Sequence, residues 1–329
     1  MGTDTQALPR QDKHTPHLSL TQRSWWPAAK RTATAVFFAL VLWLIVRHAR
    51  TVQWSEVWDS ITGYPALTLA AAAGFAFASH ALYATFDLLS RSHTGHTLPT
   101  GRVIATTFIS YAFNLNFGSL IGGLAFRLRL YTRQGLETGV IARVFAFSML
   151  TNWIGYLLLV GVLAFVQPIA IPDEWSIGVA AMRAVGALMV AAVLLYVGLC
   201  FFSPKRTLGW RQHELSLPSG RMALLQVALS TLNWSLIGAA IYTLLQHHGV
   251  SYPAALAVLL AAAVAGVVTH VPAGLGVLEA VFVTMLSPPV AQSPLLAALL
   301  VYRALYYLLP LALALVGYVL LEARLKKPA

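Results

Sequence analysis

Six charged side chains, with His80 and His270, lie within or beside long apolar runs of the sequence, and the arginines among them suit the binding of an anionic group. Arg183 is close enough to the outer surface to reach it and is ranked last. A charge at the centre of a lipid bilayer costs about 2.5 to 3.5 kcal/mol on insertion scales, so such residues face a protein interior or a polar pathway. Guanidinium groups bind phosphate through two parallel hydrogen bonds. The candidate binding residues are Asp87, Arg127, Arg143, Glu279 and Arg303.

Helical spacing separates Arg127 from its basic neighbours. Arg129 and Arg133 are four residues apart and therefore share one face of a helix. Arg127 lies on the opposite face, with Leu124 and Tyr131. We therefore predict that Arg127 points into the protein, while Arg129 and Arg133 reach back to the cytoplasmic surface.

A structural role for these charges stays open beside the binding role. Glu279 pairs, in this alternative, with one of the three candidate arginines only to neutralise buried charge and to hold two halves of the chain together. Asp87 lies one turn before Arg91, which is compatible with a simple ion pair at the membrane surface. The sequence gives the structural and the binding roles of Glu279 equal weight.

Composition places these residues in a polytopic membrane protein. The chain has 329 residues, of which 58% are hydrophobic and only 10% are charged, whereas a soluble domain carries about 25% charged residues. The net charge of +11 comes from short basic clusters between apolar runs. That pattern is typical of loops at a membrane surface and argues against nucleic-acid binding.

Two of the eight apolar runs are interrupted, and we predict that both bend into hairpins. Proline removes a backbone donor and glycine weakens a helix. Irregular backbone at membrane depth must be satisfied by protein or by a water-filled cavity, so the two tips should meet inside the bundle. The run 103–126 contains Asn114, Asn116, Gly118, Gly122 and Gly123, and the run 254–286 contains His270, Pro272, Gly274 and Gly276.

The distribution of Lys and Arg predicts how the runs are oriented. Suppose that each interrupted run enters and leaves the membrane on the same side, the first from the cytoplasm and the second from outside. Most of the basic residues then lie on the cytoplasmic side, as the positive-inside rule requires. Each half then contains two crossings, a hairpin and a third crossing, with opposite orientations. We predict an all-α protein with six crossings and two opposed re-entrant hairpins, arranged as an inverted repeat. The predicted crossings are 33–46, 65–88, 145–166, 177–202, 222–245 and 295–321.

The predicted organisation has three parts, with both termini in the cytoplasm. Residues 1–31 form a basic tail, residues 32–323 form the membrane domain, and residues 324–329 form a second tail. The two halves of the membrane domain are 32–168 and 177–322. The first apolar run ends in basic residues without a small-residue cleavage site, so we expect an uncleaved signal anchor.

Catalytic and metal-binding motifs are absent from the sequence. Cys200 is the single cysteine, and no helix carries His and carboxylate at ligand spacing. His270 precedes Pro272 and is expected to cap bent backbone. Nucleotide-binding loops and a nucleophile elbow are also missing. We expect neither enzymatic activity nor a metal or other cofactor.

Four segments carry a family resemblance: FNLNFGSLIGGLAFRLRLYTRQGL (113–136), TNWIGYLLL (151–159), THVPAGLGVLEAVF (269–282) and YRALYYLLPLALAL (302–315). They resemble the YbhN-type bacterial inner-membrane proteins, which are related to the transmembrane region of lysylphosphatidylglycerol synthase (MprF). The similarity covers nearly the whole chain after about residue 30. It implies an inner-membrane helical domain with flippase-like activity on phospholipids. In the full synthase a soluble aminoacyl-transferase domain follows, and since this sequence stops at Ala329 we expect none here.

The expected function is movement of a phospholipid between leaflets of the bacterial inner membrane. The lipid is anionic or zwitterionic, and the intramembrane charges are its candidate headgroup site. One alternative is a non-transporting membrane partner or assembly factor for envelope lipid enzymes. A second is a polytopic transferase that uses a lipid-linked donor, although the sequence offers no large soluble loop for it.

Overall fold

The structure, a computed structural model, is helical apart from one short hairpin of strands. It describes residues 54–166, 178–204, 207–210, 213–287 and 290–325. The predicted tail 1–31, the first apolar run 33–46 and residues 326–329 lie outside the described residues. The α-helices are α1 (Trp54–Thr62), α2 (Ala66–Ala84), α3 (Phe86–Thr94), α4 (Thr100–Phe117), α5 (Phe126–Arg133), α6 (Thr138–Val166), α7 (Val179–Phe202), α8 (Gly220–Leu245), α9 (Tyr252–Thr269), α10 (Val277–Leu286), α11 (Gln292–Arg303) and α12 (Leu309–Leu325).

Six helical segments of the described chain are long and apolar enough to cross a membrane. Five of them coincide with predicted crossings, and the remaining predicted crossing, 33–46, lies outside the described residues. The sixth segment is α9, which the sequence analysis assigned to one arm of the second hairpin. The segments are Ala66–Thr94, Thr138–Val166, Val179–Phe202, Gly220–His248, Tyr252–Thr269 and Gln292–Arg324.

The first interrupted run folds back on itself. Helix α4 ends at Phe117, Gly118 follows with a φ of 85°, and a π-helix (Ser119–Ala125) leads directly into α5. The returning arm packs along α4, and the Gln134 side-chain amide donates to Thr106 Oγ1 over 2.9 Å. The prediction that this run bends is therefore confirmed, and Gly118 lies at the tip of the bend.

Gly122 is the residue that allows the two arms to approach. A Cβ atom at this position would overlap the backbone carbonyl of Phe113 on the facing arm. A backbone group cannot rotate away as a side chain can, so only glycine fits here without a shift of one arm. The glycine that weakens a single helix is thus what permits a tight helical hairpin.

The second interrupted run is also bent. Helix α9 ends at Thr269, a 3₁₀ turn (Pro272–Gly274) follows, and α10 begins at Val277 and packs against α9. His270 and Ala273 both have a φ of 54°, in the left-handed region that non-glycine residues rarely adopt. The irregular backbone falls on the predicted residues, and the bend is confirmed.

The two hairpins meet within the bundle. Helix α4 of the first hairpin contacts the 3₁₀ turn of the second. The Asn116 side-chain amide also donates to the Tyr307 carbonyl over 3.3 Å. Tyr307 belongs to a second π-helix (Ala304–Leu308), which joins α11 to α12. The contact of α4 with the 3₁₀ turn joins the two interrupted segments, as expected, and the Asn116 hydrogen bond joins the first of them to the segment after α11.

The remaining helices form the apolar scaffold around the hairpins. Helix α8 packs along α2 and α6, and α7 packs along α6. Many leucine, valine and phenylalanine side chains on the outer surface are exposed, which suits helices surrounded by lipid. Between α7 and α8, the strands β1 (Thr207–Trp210) and β2 (His213–Ser216) pair antiparallel.

Gly122→Ala should destabilise the protein by about 1 to 3 kcal/mol, the usual cost of overpacking, because the added methyl group overlaps the Phe113 carbonyl. Thermal unfolding in detergent measures the effect. Gly139→Ala is the matched control, since a Cβ atom there meets no atom within 4 Å. Equal melting temperatures for both variants would contradict the close packing of the two arms.

Candidate functional site

Asp87 and Arg127 form a fully buried ion pair between α3 and α5. The Arg127 Nε donates to Asp87 Oδ2 over 2.9 Å and a terminal nitrogen donates to Oδ1 over 3.0 Å. Asp87 also accepts hydrogen bonds from the hydroxyls of Tyr131 and Ser148. The Asp87 and Arg127 side chains are 0% and 1% exposed. In place of water, the buried carboxylate therefore accepts four hydrogen bonds from protein donors.

This arrangement ties the first hairpin to the scaffold. Asp87 comes from α3, Arg127 and Tyr131 from the returning arm, and Ser148 from α6. A bidentate arginine pair with further hydrogen bonds is the geometry in which a buried charge is tolerated. The predicted inward orientation of Arg127 is confirmed, and so is the outward orientation of Arg129, whose side chain is 55% exposed.

Glu279 and Arg303 form a second ion pair at the tip of the second hairpin. The Arg303 Nε donates to one oxygen of Glu279, and a terminal nitrogen donates to the other over 3.0 Å. The same guanidinium donates to the carbonyls of Ala273 and Gly274, each over 2.9 Å. Arg303 therefore neutralises Glu279 and also satisfies carbonyls that the bend releases from helical hydrogen bonding.

The two ion pairs differ in accessibility. Glu279 is 16% exposed and Arg303 is 9% exposed, whereas the Asp87 pair is sealed. The turn beside the second pair is open, with His270 exposed and Leu275 50% exposed. The second ion pair is therefore partly accessible, whereas the first is sealed.

The predicted single cluster of charges is divided by the structure. Arg127 and Arg303 have different acidic partners, and the sequence did not assign Asp87 to Arg127. Arg91, the expected neighbour of Asp87, instead donates to Thr100 Oγ1 over 2.9 Å. Arg143 has an exposed side chain and forms no ion pair within the described ranges, because it lies on the outer side of α6.

A third cluster of charges joins the first hairpin to the last helix. Arg129 and Arg133 both donate to Glu322 of α12, and the Tyr318 hydroxyl donates to the same carboxylate over 3.1 Å. The sequence analysis placed Arg129 and Arg133 on one face but gave no partner for them. Spacing along one helix shows which residues share a face, but it cannot identify a partner such as Glu322, which is almost two hundred positions away from Arg129 in the sequence.

The amide and imidazole groups of the bends hydrogen bond to nearby backbone. Gly118 N–H donates to the Asn114 carbonyl over 2.8 Å, and the Asn116 amide donates to the Ala112 carbonyl over 2.8 Å. His270 Nδ1 lies 2.9 Å from the Val268 carbonyl. His270 thus contacts the bent backbone, as expected from its position before Pro272.

A buried polar cluster that the sequence analysis did not identify lies between α2, α4, α8 and the second π-helix. Ser79 Oγ donates to Asn233 Oδ1 over 2.8 Å and lies 2.9 Å from the Tyr306 hydroxyl. The hydroxyls of Tyr306 and Tyr111 are 2.8 Å apart, and the His80 ring packs against both tyrosines. We call these five residues the central polar cluster. All five members are polar residues within predicted apolar runs, and that was the available signal.

Asp87→Asn should cost about 3 to 5 kcal/mol of stability, because Arg127 would remain buried without a counter-charge. Thermal unfolding in detergent measures the loss. The double variant Asp87→Asn with Arg127→Gln should recover part of it, since the uncompensated charge is removed. Arg143→Ala, at an exposed position, should stay within about 0.5 kcal/mol. Wild-type stability of the single Asp87 variant would contradict the assigned pairing.

Comparison with known proteins agrees with this architecture. Residues 32–314 match the family model described as the lysylphosphatidylglycerol synthase TM region. The chain is 41% identical to inner membrane protein YbhN of Escherichia coli over 303 residues, which is 92% of this chain and 95% of that protein. It is 29% identical over 297 residues to the uncharacterized protein slr0712 of Synechocystis, covering 88% and 91% of the two chains. The chain is a multi-pass bacterial inner-membrane protein and belongs to the family of the lysylphosphatidylglycerol synthase transmembrane region.

Proposed function

We propose that this protein moves a phospholipid between the leaflets of the inner membrane, with the Glu279 and Arg303 pair as its headgroup site. The observation that carries the proposal is the partial exposure of this pair beside an open, irregular turn. A lipid that changes leaflets needs a polar environment only for its headgroup, because its acyl chains can stay in hydrocarbon. A site at a bend within an apolar bundle meets that need.

The bends are supported as re-entrant hairpins by their contacts and by charge. The two hairpins touch, and the second is irregular over several consecutive residues, which requires surrounding protein or a water-filled cavity at membrane depth. With both hairpins re-entrant, the basic residues of 127–143 and of 89–102 share the cytoplasmic side. The two halves then have opposite orientations, with both termini in the cytoplasm, which is the arrangement of an inverted repeat.

Arg303 is suited to contact a phosphate because its present acceptors can be exchanged. Its guanidinium donates to one carboxylate and two carbonyls. A phosphate oxygen is a stronger acceptor than a carbonyl and binds a guanidinium in a bidentate manner. A headgroup that displaced the turn carbonyls would loosen the hairpin tip, and this links substrate binding to movement of the tip. The Asp87 and Arg127 pair, which is sealed, then holds the first hairpin in place.

The re-entrant arrangement predicts which sides of the membrane the ends of each hairpin occupy. In a Cys200→Ser background, single cysteines at Thr97 and Glu137 flank the first hairpin, and cysteines at His247 and Ser287 flank the second. All four positions are exposed. An impermeant maleimide should label the first two from the cytoplasm and the last two from outside. Labelling of Thr97 and Glu137 from opposite sides would contradict a re-entrant first hairpin.

Lipid movement is measured with purified protein in proteoliposomes that contain a fluorescent phospholipid and an impermeant quencher. We expect wild-type protein to speed leaflet exchange over protein-free vesicles. Arg303→Ala and Glu279→Ala should reduce that exchange at least tenfold, a loss of about 1.4 kcal/mol or more in transition-state stabilisation. The reason is that each variant removes one half of the proposed headgroup site.

Arg143→Ala is the matched control, because it removes an arginine that has no ion pair in the described part of the chain. It should exchange lipid at the wild-type rate. Each variant is first checked for monodisperse elution, so that loss of folding is separated from loss of exchange. Wild-type exchange by Arg303→Ala would remove this pair from the mechanism. A purified protein that exchanges no lipid but retains a co-purifying envelope protein would favour the assembly-factor alternative.

A further inference from the structure

An open cavity of about 460 Å³ lies where α3 ends and α4 begins. The left-handed conformation of Gly95, with a φ of 74°, ends α3 and turns the chain towards α4. Residues from both helices and from the connection between them therefore face one space. We call it the Arg91 cavity, and its lining residues are Leu88, Arg91, Ser92, Gly95, His96 and Thr100.

Arg91 gives this cavity a positive charge that no carboxylate of the described residues neutralises. Within those residues its guanidinium donates only to Thr100 Oγ1, over 2.9 Å. Asp87, one turn earlier in the chain, is held by Arg127 instead. None of the residues that line the cavity is acidic. Because a guanidinium has five N–H donors, most of those of Arg91 remain available to an anion.

His96 lines the same cavity and has two unpaired ring nitrogens. Both are buried, and neither has a hydrogen-bond partner among the described residues. Burial lowers the pKa of His96, and the nearby charge of Arg91 lowers that pKa further. The ring is therefore neutral at pH 7, with one N–H donor and one lone pair. Most buried polar atoms in proteins have a partner, and an oxyanion in the cavity supplies an acceptor for this N–H.

Hydroxyl groups and the start of α4 add further donors. Ser92 and Thr100 are exposed. Since the Thr100 oxygen accepts from Arg91, its own hydrogen is free to donate to a ligand. Thr100 is also the first residue of α4, and Pro99 before it forms no side-chain cap. The N–H groups of this first turn and the helix dipole favour an anion at the same place as the arginine.

The Arg91 cavity is separate from the Glu279 and Arg303 pair. It lies at the start of α4, whereas the tip of the first hairpin follows the end of this helix at Phe117. The 18 residues of α4 span roughly 27 Å. On its inner side the cavity adjoins the groups that hold the hairpin, because the His96 ring lies 6.3 Å from the ring of Tyr131, whose hydroxyl donates to Asp87.

We propose that the Arg91 cavity binds a phosphate group, with Arg91 as its charge and Ser92, His96 and Thr100 as further hydrogen-bond donors. Guanidinium groups bind phosphate through two parallel hydrogen bonds. A phospholipid headgroup and a soluble phosphate compound share this chemistry. For a lipid, the cavity is a binding site in the cytoplasmic leaflet that precedes the Glu279 and Arg303 pair, and this order rests on the proposed function.

Binding is tested by protection of a cysteine in the cavity from a maleimide. The purified full chain carries Cys200→Ser and Ser92→Cys, and its labelling rate is measured with and without millimolar dioctanoyl phosphatidylglycerol. We expect severalfold slower labelling with the lipid. Thr97→Cys, exposed but outside the cavity lining, should label equally fast in both conditions. Inorganic phosphate is the second probe: protection by phosphate as strong as that by the lipid identifies a soluble ligand, and protection by the lipid alone identifies a headgroup.

Two arginine variants separate a built site from diffuse surface charge. In the Ser92→Cys background, Arg91→Gln should abolish protection, because it removes the charge but keeps an amide that can donate to Thr100. Arg102→Gln is the matched control, since Arg102 is exposed at the start of α4 and does not line the cavity. It should retain protection. Monodisperse elution is checked for both.

Three results would overturn the proposal. The first is no protection by either probe, and the second is an equal loss of protection in the two arginine variants. The third is protection by dioctanoylglycerol, which has acyl chains but no phosphate. The assay involves no leaflet exchange, so these results bear on the Arg91 cavity alone. Wild-type protein that exchanges no lipid would instead contradict the proposed function and leave the phosphate site standing.

Discussion

Charged and polar groups inside a lipid-embedded bundle must find partners within the protein, and this constraint organises the structure. Asp87 and Arg127 satisfy it by sealing themselves between α3, α5 and α6. Arg303 satisfies it differently, because it neutralises Glu279 and also bonds to the carbonyls freed by the second bend. At membrane depth, where we propose that both bends lie, each unsatisfied backbone group would cost several kcal/mol.

We propose that the sealed ion pair holds the first hairpin and that the Glu279 and Arg303 pair binds the lipid headgroup. A sealed pair resists change, because removal of either partner leaves an isolated charge in a medium that cannot solvate it. The Glu279 and Arg303 pair is open on one side, and its hydrogen bonds to the turn can be exchanged for those of a phosphate.

The sequence predicts elements and faces well because both follow from local rules. Apolar length gave five of the described spans, and Gly118 and the residues around Pro272 marked both bends. Helical spacing turned Arg127 inward and Arg129 outward. Partner choice was harder, because Asp87 is one turn from Arg91 along the chain yet packs against a helix 40 positions later. The role of Arg303 at the turn carbonyls and the contacts of His80 likewise depend on how helices pack, which no spacing rule specifies.

The depth of the hairpin tips in the bilayer tests the central claim most directly. Spin labels are placed one at a time at Phe117 and Leu275, which are 48% and 50% exposed at the two tips. Their collision rates with oxygen and with a water-soluble relaxation agent report depth in reconstituted protein. The account predicts that both labels lie deep in a hydrocarbon layer about 30 Å thick, or face a polar cavity at that depth. A label at either tip that reports the headgroup region would contradict hairpins that meet within the membrane.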